Sequence, residues 1–144
     1  TLLPPLPYLQ PRAMFPTRLL LLLLVFPLAA SAAERVACHY TYGGEEKVRV
    51  AEPVGSPYGV APVQVGSYFL FRVVWQRAPA EAAAVKVYTY ADREGGPVLV
   101  HQATYPYPPP GTAGRPYGFT GLQFVYEPVR DGELQYWCAL EAAP

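Results

Sequence analysis

The stretch "VQVGSYFLFRVVWQ", residues 63 to 76, constrains the fold more than any other. Phe69, Phe71, Val73 and Trp75 fall on one face of an extended chain, while Leu70 and Val74 make the other face partly apolar. Alternation with a period of two marks a strand, and a strand apolar on both faces belongs in the middle of a sheet. The rest of the chain from Arg35 to Leu140 follows the same habit. "RVACHYTY" puts Val36, Cys38, Tyr40 and Tyr42 on one face, and "KVRV" after the "GGEE" turn completes a hairpin. "VKVYTY" and "VLVHQATY" flank a "DREGGP" turn, "FTGLQFVYEP" and "ELQYWCAL" flank "VRDG", and "APAEAAA" has room for one helical turn at most.

Seven or eight short strands in about 110 residues, with no 3.6-residue period, predict an all-β domain. The expected form is an antiparallel immunoglobulin-like β-sandwich, with a small closed β-barrel as the alternative. Residues 34–144 make one domain, large enough for a single hydrophobic core.

Ahead of this domain, Met14 and Arg18 precede the apolar run Leu19 to Leu28, and "AASAA" follows it. A basic start, a short apolar run and small residues are the three parts of a secretory signal peptide, and the run is too short to span a bilayer. Residues 14–33 therefore read as a signal peptide cleaved near Ala32 or Ala33, and residues 1–13 as an unstructured upstream extension. The expected location is the periplasm or the exterior, with no membrane span in the mature chain. Glu34 and Arg35 separate Cys38 from the apolar run, which argues against a lipid-anchored cysteine.

Export makes the cysteine count informative. The only two, Cys38 and Cys138, stand near the ends of the domain, and in an oxidising compartment they are expected to form a disulfide that ties the first strand to the last. From Glu34 onward, nine Lys and Arg against eleven Asp and Glu leave a charge near −2. Without a basic surplus or run, no nucleic-acid partner is expected. The chain has no Ile and no Asn, as GC-rich codons would give, yet it keeps twelve tyrosines, whose codons are AT-rich. Something physical retains those rings.

Four of the twelve tyrosines, Tyr58, Tyr105, Tyr107 and Tyr117, fall in two Pro/Gly-rich connectors. Pro-Tyr-Gly occurs at 57–59 and again at 116–118, and the second connector also holds "YPYPPP". Proline fixes φ before each ring and glycine permits a turn after it, so each copy should hold its ring in a set direction. The plain reading makes these rings plugs at the rim of the fold, with bonded hydroxyls. The functional reading makes Tyr58, Tyr105, Tyr107, Tyr117 and Arg115 an exposed face that contacts a protein partner or small ligand, the two connectors meeting at one end.

Motifs for chemistry are missing. Ser56 and Ser67 lie in no nucleophile elbow; Glu45 and Glu46 read as adjacent in a turn and Glu127 and Glu133 as flanking a hairpin turn, neither as an acid–base pair. His39 and His101, the only histidines, would need further ligands to hold a metal, and a disulfide removes the thiols. The expectation is thus a non-enzymatic binding module with no cofactor and no metal. The alternative is a metal-binding accessory protein or metal-dependent enzyme that uses His39 and His101.

Overall fold

The computed structural model describes residues 1–4, 7, 33–111 and 114–144. The expected signal segment and upstream extension lie outside the described residues, apart from residues 1–4, 7 and 33, which have no regular secondary structure. The chain divides into two compact units, Thr1–Ala30 and Ser31–Pro144, and the second holds every described strand. Among the described residues no helix is long and apolar enough to cross a membrane.

The strands are β1 (Glu34–Tyr42), β2 (Glu45–Ala51), β3 (Pro53–Val54), β4 (Val63–Val65), β5 (Phe69–Gln76), β6 (Ala84–Ala91), β7 (Val98–Pro106), β8 (Gln123–Glu127) and β9 (Gly132–Ala142). They form two sheets, one in the order β2-β1-β9-β8 and the other β3-β5-β6-β7 with β4 also paired to β5. The β1–β2 turn is only Gly43-Gly44, with φ of +64° and +82°. Positive φ at both central residues is the turn whose twist suits a two-residue hairpin. Glu45 and Glu46 therefore belong to β2 and not, as the sequence suggested, to the turn.

Alternation builds the core. Val36, Cys38 and Tyr40 of β1 and Leu134, Tyr136 and Cys138 of β9 face Phe69, Phe71, Val73 and Trp75 of β5 and Val85 and Val87 of β6. The Phe71 ring lies 5.1 Å from that of Tyr40 and 5.5 Å from that of Tyr136, so it bridges both sheets. Burying one such side chain contributes about 1.5 to 3 kcal/mol. Strand β5 lies between β4 and β6 as its two-sided apolar pattern requires, with Val74 on its second face also fully buried.

Strands that are neighbours in sequence are neighbours around the core, and β9 returns to pair with β1. This is the order of a barrel, but the expected alternative of a closed barrel does not hold. Ladder pairing stops between β2 and the β3–β4 edge and between β7 and β8, leaving two open sheets. Pro53 and Pro62 interrupt the first seam and Pro106 ends β7 at the second, and proline has no N–H to give a ladder.

The disulfide is present where the sequence places it. Cys38 and Cys138 are direct cross-strand partners on β1 and β9, with Cα atoms 4.0 Å apart and both side chains fully buried. At the end where β5 begins, a carboxylate closes the fold. Glu127 is fully enclosed and accepts bonds from Arg93 (2.6 Å) and from the backbone N–H groups of Arg130 (2.8 Å) and Val129 (3.3 Å). Arg130 in turn donates to the Tyr68 carbonyl and covers the Tyr68 ring. Burial pushes the Glu127 carboxyl up, but these donors outweigh it and hold the group below its ordinary range.

Candidate functional site

The two Pro-Tyr-Gly copies are anchored on different sheets. Residues 52–62 run along the β3–β4 edge of the five-stranded sheet, where Arg72 of β5 donates to the carbonyls of Pro57 and Val60. The second connector leaves β7 at the opposite edge of that sheet. The two Pro-Tyr-Gly copies therefore do not come together as expected, because Arg72 of β5 anchors one and Cys138 of β9 the other, although Glu52 of the first connector and Tyr107 of the second both reach the Arg77 end.

The two Pro-Tyr-Gly copies also differ in conformation. Pro57–Gly59 is a single 3-10 turn whose Tyr58 ring is 91 % exposed. At the second copy Tyr117 and Gly118 have φ of +64° and +60°. Here the connector docks on β9: Phe119 N–H donates to the Cys138 carbonyl (2.9 Å), and the Thr120 hydroxyl accepts from Cys138 N–H (2.8 Å). Tyr105 packs its ring edge-on to Phe119, 5.6 Å away, and Tyr117 lies edge-on to Trp137, 6.1 Å away. Tyr105 is half-buried structure, while Tyr117 and Arg115 remain exposed.

The histidines do not converge either. His39 faces outward from the four-stranded sheet, stacked on Trp137 at 3.9 Å and bonded to Glu141 (3.1 Å) and Glu46 (3.4 Å). The Glu141 carboxyl is held low, first by the His39 hydrogen bond, which with Arg35 outweighs the effect of burial. His101 points into the core and bonds the Tyr136 hydroxyl at 2.7 Å, and its pKa is lowered by burial. Tyr136 is on the inner face and His39 on the outer face of the same sheet, so the alternative of a joint His39–His101 metal site is corrected. Among the described residues no three His, Cys, Asp or Glu side chains gather to hold a metal.

Tyr107 leads to the strongest candidate. At the end of the fold opposite Glu127, its ring packs 5.2 Å from that of Trp75 and its hydroxyl donates to Glu34 (3.2 Å). Burial first, and that bond second, raise the hydroxyl's pKa. The Arg77 guanidinium lies over both rings, 5.4 Å from Trp75 and 5.2 Å from Tyr107. Beside them opens a cavity of about 520 Å³ lined by Arg35, Val50, Ala51, Glu52, Trp75 and Arg77 among others. A neighbouring cavity of about 240 Å³ shares Val50, Ala51 and Glu52 with it and continues along the β2 seam past Val54, Val60 and Val73.

Among the described residues, the Trp75 indole N–H and the Arg35 Nε–H, on side chains that border this cavity, are enclosed and have no hydrogen-bond partner. Trp75 itself is only 2 % exposed. Arg35 spends its Nη2 on Glu141 at 3.0 Å, and among the described residues Arg77 has no carboxylate partner.

Reading the sequence for core strands put Trp75 on the inner face but gave no reason to pair it with Arg77, Arg35 or the β2 seam. Their meeting depends on the register of β1 against β9 and of β3 against β5. The one available signal was Arg77 directly after the strongest strand. The fold and cavity define a disulfide-linked, all-β domain of two open sheets with a cavity at one end bordered by Arg35, Trp75 and Arg77. Comparison with known proteins finds no matching family model, no matching curated protein and no matching solved structure.

Proposed function

We propose that this chain is an exported, non-enzymatic β-sandwich that binds a small ligand in the cavity beside Trp75, Arg77 and Tyr107. Two open sheets sharing one core support the sandwich. The immunoglobulin-like form expected from the sequence carries over as a two-layer architecture and not as a strand order, since β1 is central here and lies at a sheet edge in that fold. A buried disulfide fits an oxidising compartment, in keeping with export. The observation that carries the binding reading is the cavity of about 520 Å³ at one end of the fold, bordered by Arg35, Trp75 and Arg77, with the Arg77 guanidinium held over the Trp75 and Tyr107 rings.

A thermal-shift screen of small organic molecules tests it. A ligand that binds only the folded state raises the melting temperature, by about 2.7 kcal/mol of added stability at a hundred times its Kd. Binders are expected to lose their effect in Arg77→Ala and keep it in Tyr117→Ala. Binders indifferent to Arg77→Ala would refute the site.

A second reading, contact with a protein partner, is favoured by the outer face of the four-stranded sheet. Phe124 and Tyr126 of β8 are more than half exposed there, and the exposed Tyr117 ring packs on Trp137 of the neighbouring β9. Alanine at Phe124 and Tyr126 separates the two readings, because it leaves small-ligand shifts intact.

A further inference from the structure

We propose that the free edge of β7 pairs with the same edge of a second copy of this chain, joining the two five-stranded sheets into one across a two-fold axis. Among the described residues the sheets end at four edges, and three of these are guarded. β2 presents Glu45, Glu46, Lys47 and Arg49. β3 and β4 have two and three residues, with Pro53 in the one and Pro62 ahead of the other, and β8 has five residues and stops before Pro128. Charge, proline and shortness are what keep an edge strand from pairing with another chain. β7 is different, with nine residues, no Asp, Glu, Lys or Arg, and no proline before its last position. It pairs with β6 on one side and does not join β8 across the seam, so the backbone N–H and C=O groups on its other side have no ladder partner among the described residues.

The residues along this edge favour a second copy as its occupant. An extra residue at Val100 bends the start of β7, since Thr89 faces His101 and Tyr90 faces Leu99, but His101–Tyr105 keeps unbroken register with Val85–Thr89. Turned end for end about Ala103, this segment matches itself. Gln102 of one copy then stands opposite Thr104 of the other, twice, and both residues are exposed on the outer face of the sheet. An amide opposite a hydroxyl is a neutral, hydrogen-bonding cross-strand pair. His101 and Tyr105 stay turned to their own core, where they meet the Tyr136 and Phe119 rings. Ala103 meets itself on the axis, where a small side chain lets the strands close. A net charge of zero for the whole chain, near −2 from Glu34 onward, leaves little long-range repulsion between copies. Because β7 meets β7, the contact is self-complementary and closes as a dimer rather than growing into a fibre.

Analytical ultracentrifugation of the purified, disulfide-linked chain gives the first test. A contact made by one strand pair is at the small end of stable interfaces, so a monomer–dimer equilibrium with a Kd of about 1 to 100 µM is expected. Amide hydrogen exchange read by NMR above and below that Kd locates the contact. Protection should rise with concentration at alternate residues within His101–Tyr105, those whose N–H turns away from β6, and at no residue of β2 or β8. Two double variants test the register. Thr104→Glu faces Lys86 of β6 in its own chain, so the fold accommodates it. Combined with Gln102→Glu, it sets like charges opposite each other twice across the axis and should raise the Kd about tenfold or more; combined with Gln102→Lys, it sets opposite charges there and should keep the wild-type Kd or lower it. Equal Kd values for the two variants overturn the proposed pairing. If either variant fails to fold, the exchange pattern of the wild type decides. A chain that stays monomeric at about 1 mM overturns the proposal, as does a dimer whose protection falls on β2, on β8 or around Phe124 and Tyr126.

Discussion

Reducing the Cys38–Cys138 disulfide should remove a large part of the domain's stability. The bond joins residues 100 positions apart, so it encloses nearly the whole domain in one covalent loop. In the chain-entropy model a loop of that length restricts the unfolded chain by about 4.7 kcal/mol at 25 °C. Single domains have about 5 to 15 kcal/mol in all, so the reduced protein should be marginal. Reduction is a cleaner perturbation than substitution. Both sulfurs stay in a fully buried site, and no cavity is made. Urea melts followed by tryptophan fluorescence, with and without reductant, should show a midpoint lower by about 2 to 4 M for the reduced form, given typical slopes for a domain of this size. A shift below about 0.5 M would refute the reasoning. It would mean that hydrogen-bonded pairing of β1 with β9 holds the chain ends together without covalent help, or that the unfolded chain keeps them close.

Three further outcomes can be checked by the same melts. Phe71→Ala removes a fully buried ring that touches both sheets and should cost about 3 to 5 kcal/mol, whereas a loss below about 1 kcal/mol would place Phe71 outside the core. A Cβ on Gly118 would stand 2.1 Å from the Cys138 carbonyl oxygen at a positive φ, so Gly118→Ala should cost about 2 kcal/mol or more. Gly59→Ala, in the other Pro-Tyr-Gly and with open space around it, should stay within about 0.5 kcal/mol, and equal effects would refute the difference between the copies. Glu127 and Glu141 both have folded pKa values below the usual 4.5, so their contribution is fully present above that value and is lost as pH falls through the lower folded values. Glu127→Gln should flatten this acid limb, and an unchanged limb would show that the buried cluster is not its source.

How far the sequence reached follows from what each signal depends on. Period-two alternation is local, so the Phe69, Phe71, Val73 and Trp75 face, the β1–β2, β6–β7 and β8–β9 hairpins and the single turn at Ala80–Ala82 could all be read directly. The disulfide could be read because two cysteines allow one pairing. Strand order could not, since nothing local says that β1 lies beside β9 and not at an edge. Glu127 and Glu133 do flank a hairpin turn as the sequence suggests, but the enclosure of Glu127 was not legible, because it depends on Arg93, 34 residues away. The repeated Pro-Tyr-Gly suggested a shared role, but a tripeptide fixes only its own torsions. Arg72 anchors one copy and Cys138 the other, so the two take different shapes on different edges.

The two ends of the domain treat charge in opposite ways, and this places the site. At the β5 start, Glu127 is fully enclosed, and its oxygens meet Arg93 and the backbone and side chain of Arg130. A buried carboxylate held by that many donors closes the end and leaves no hydrogen-bonding capacity for a visitor. At the β5 finish the arrangement is reversed. There Arg77 lies over the Trp75 and Tyr107 rings with no carboxylate partner among the described residues, Glu34 is bonded to the Tyr107 hydroxyl, Glu141 to His39 and Arg35, and Glu52 borders the cavity without closing it, so this end stays open where the other is sealed.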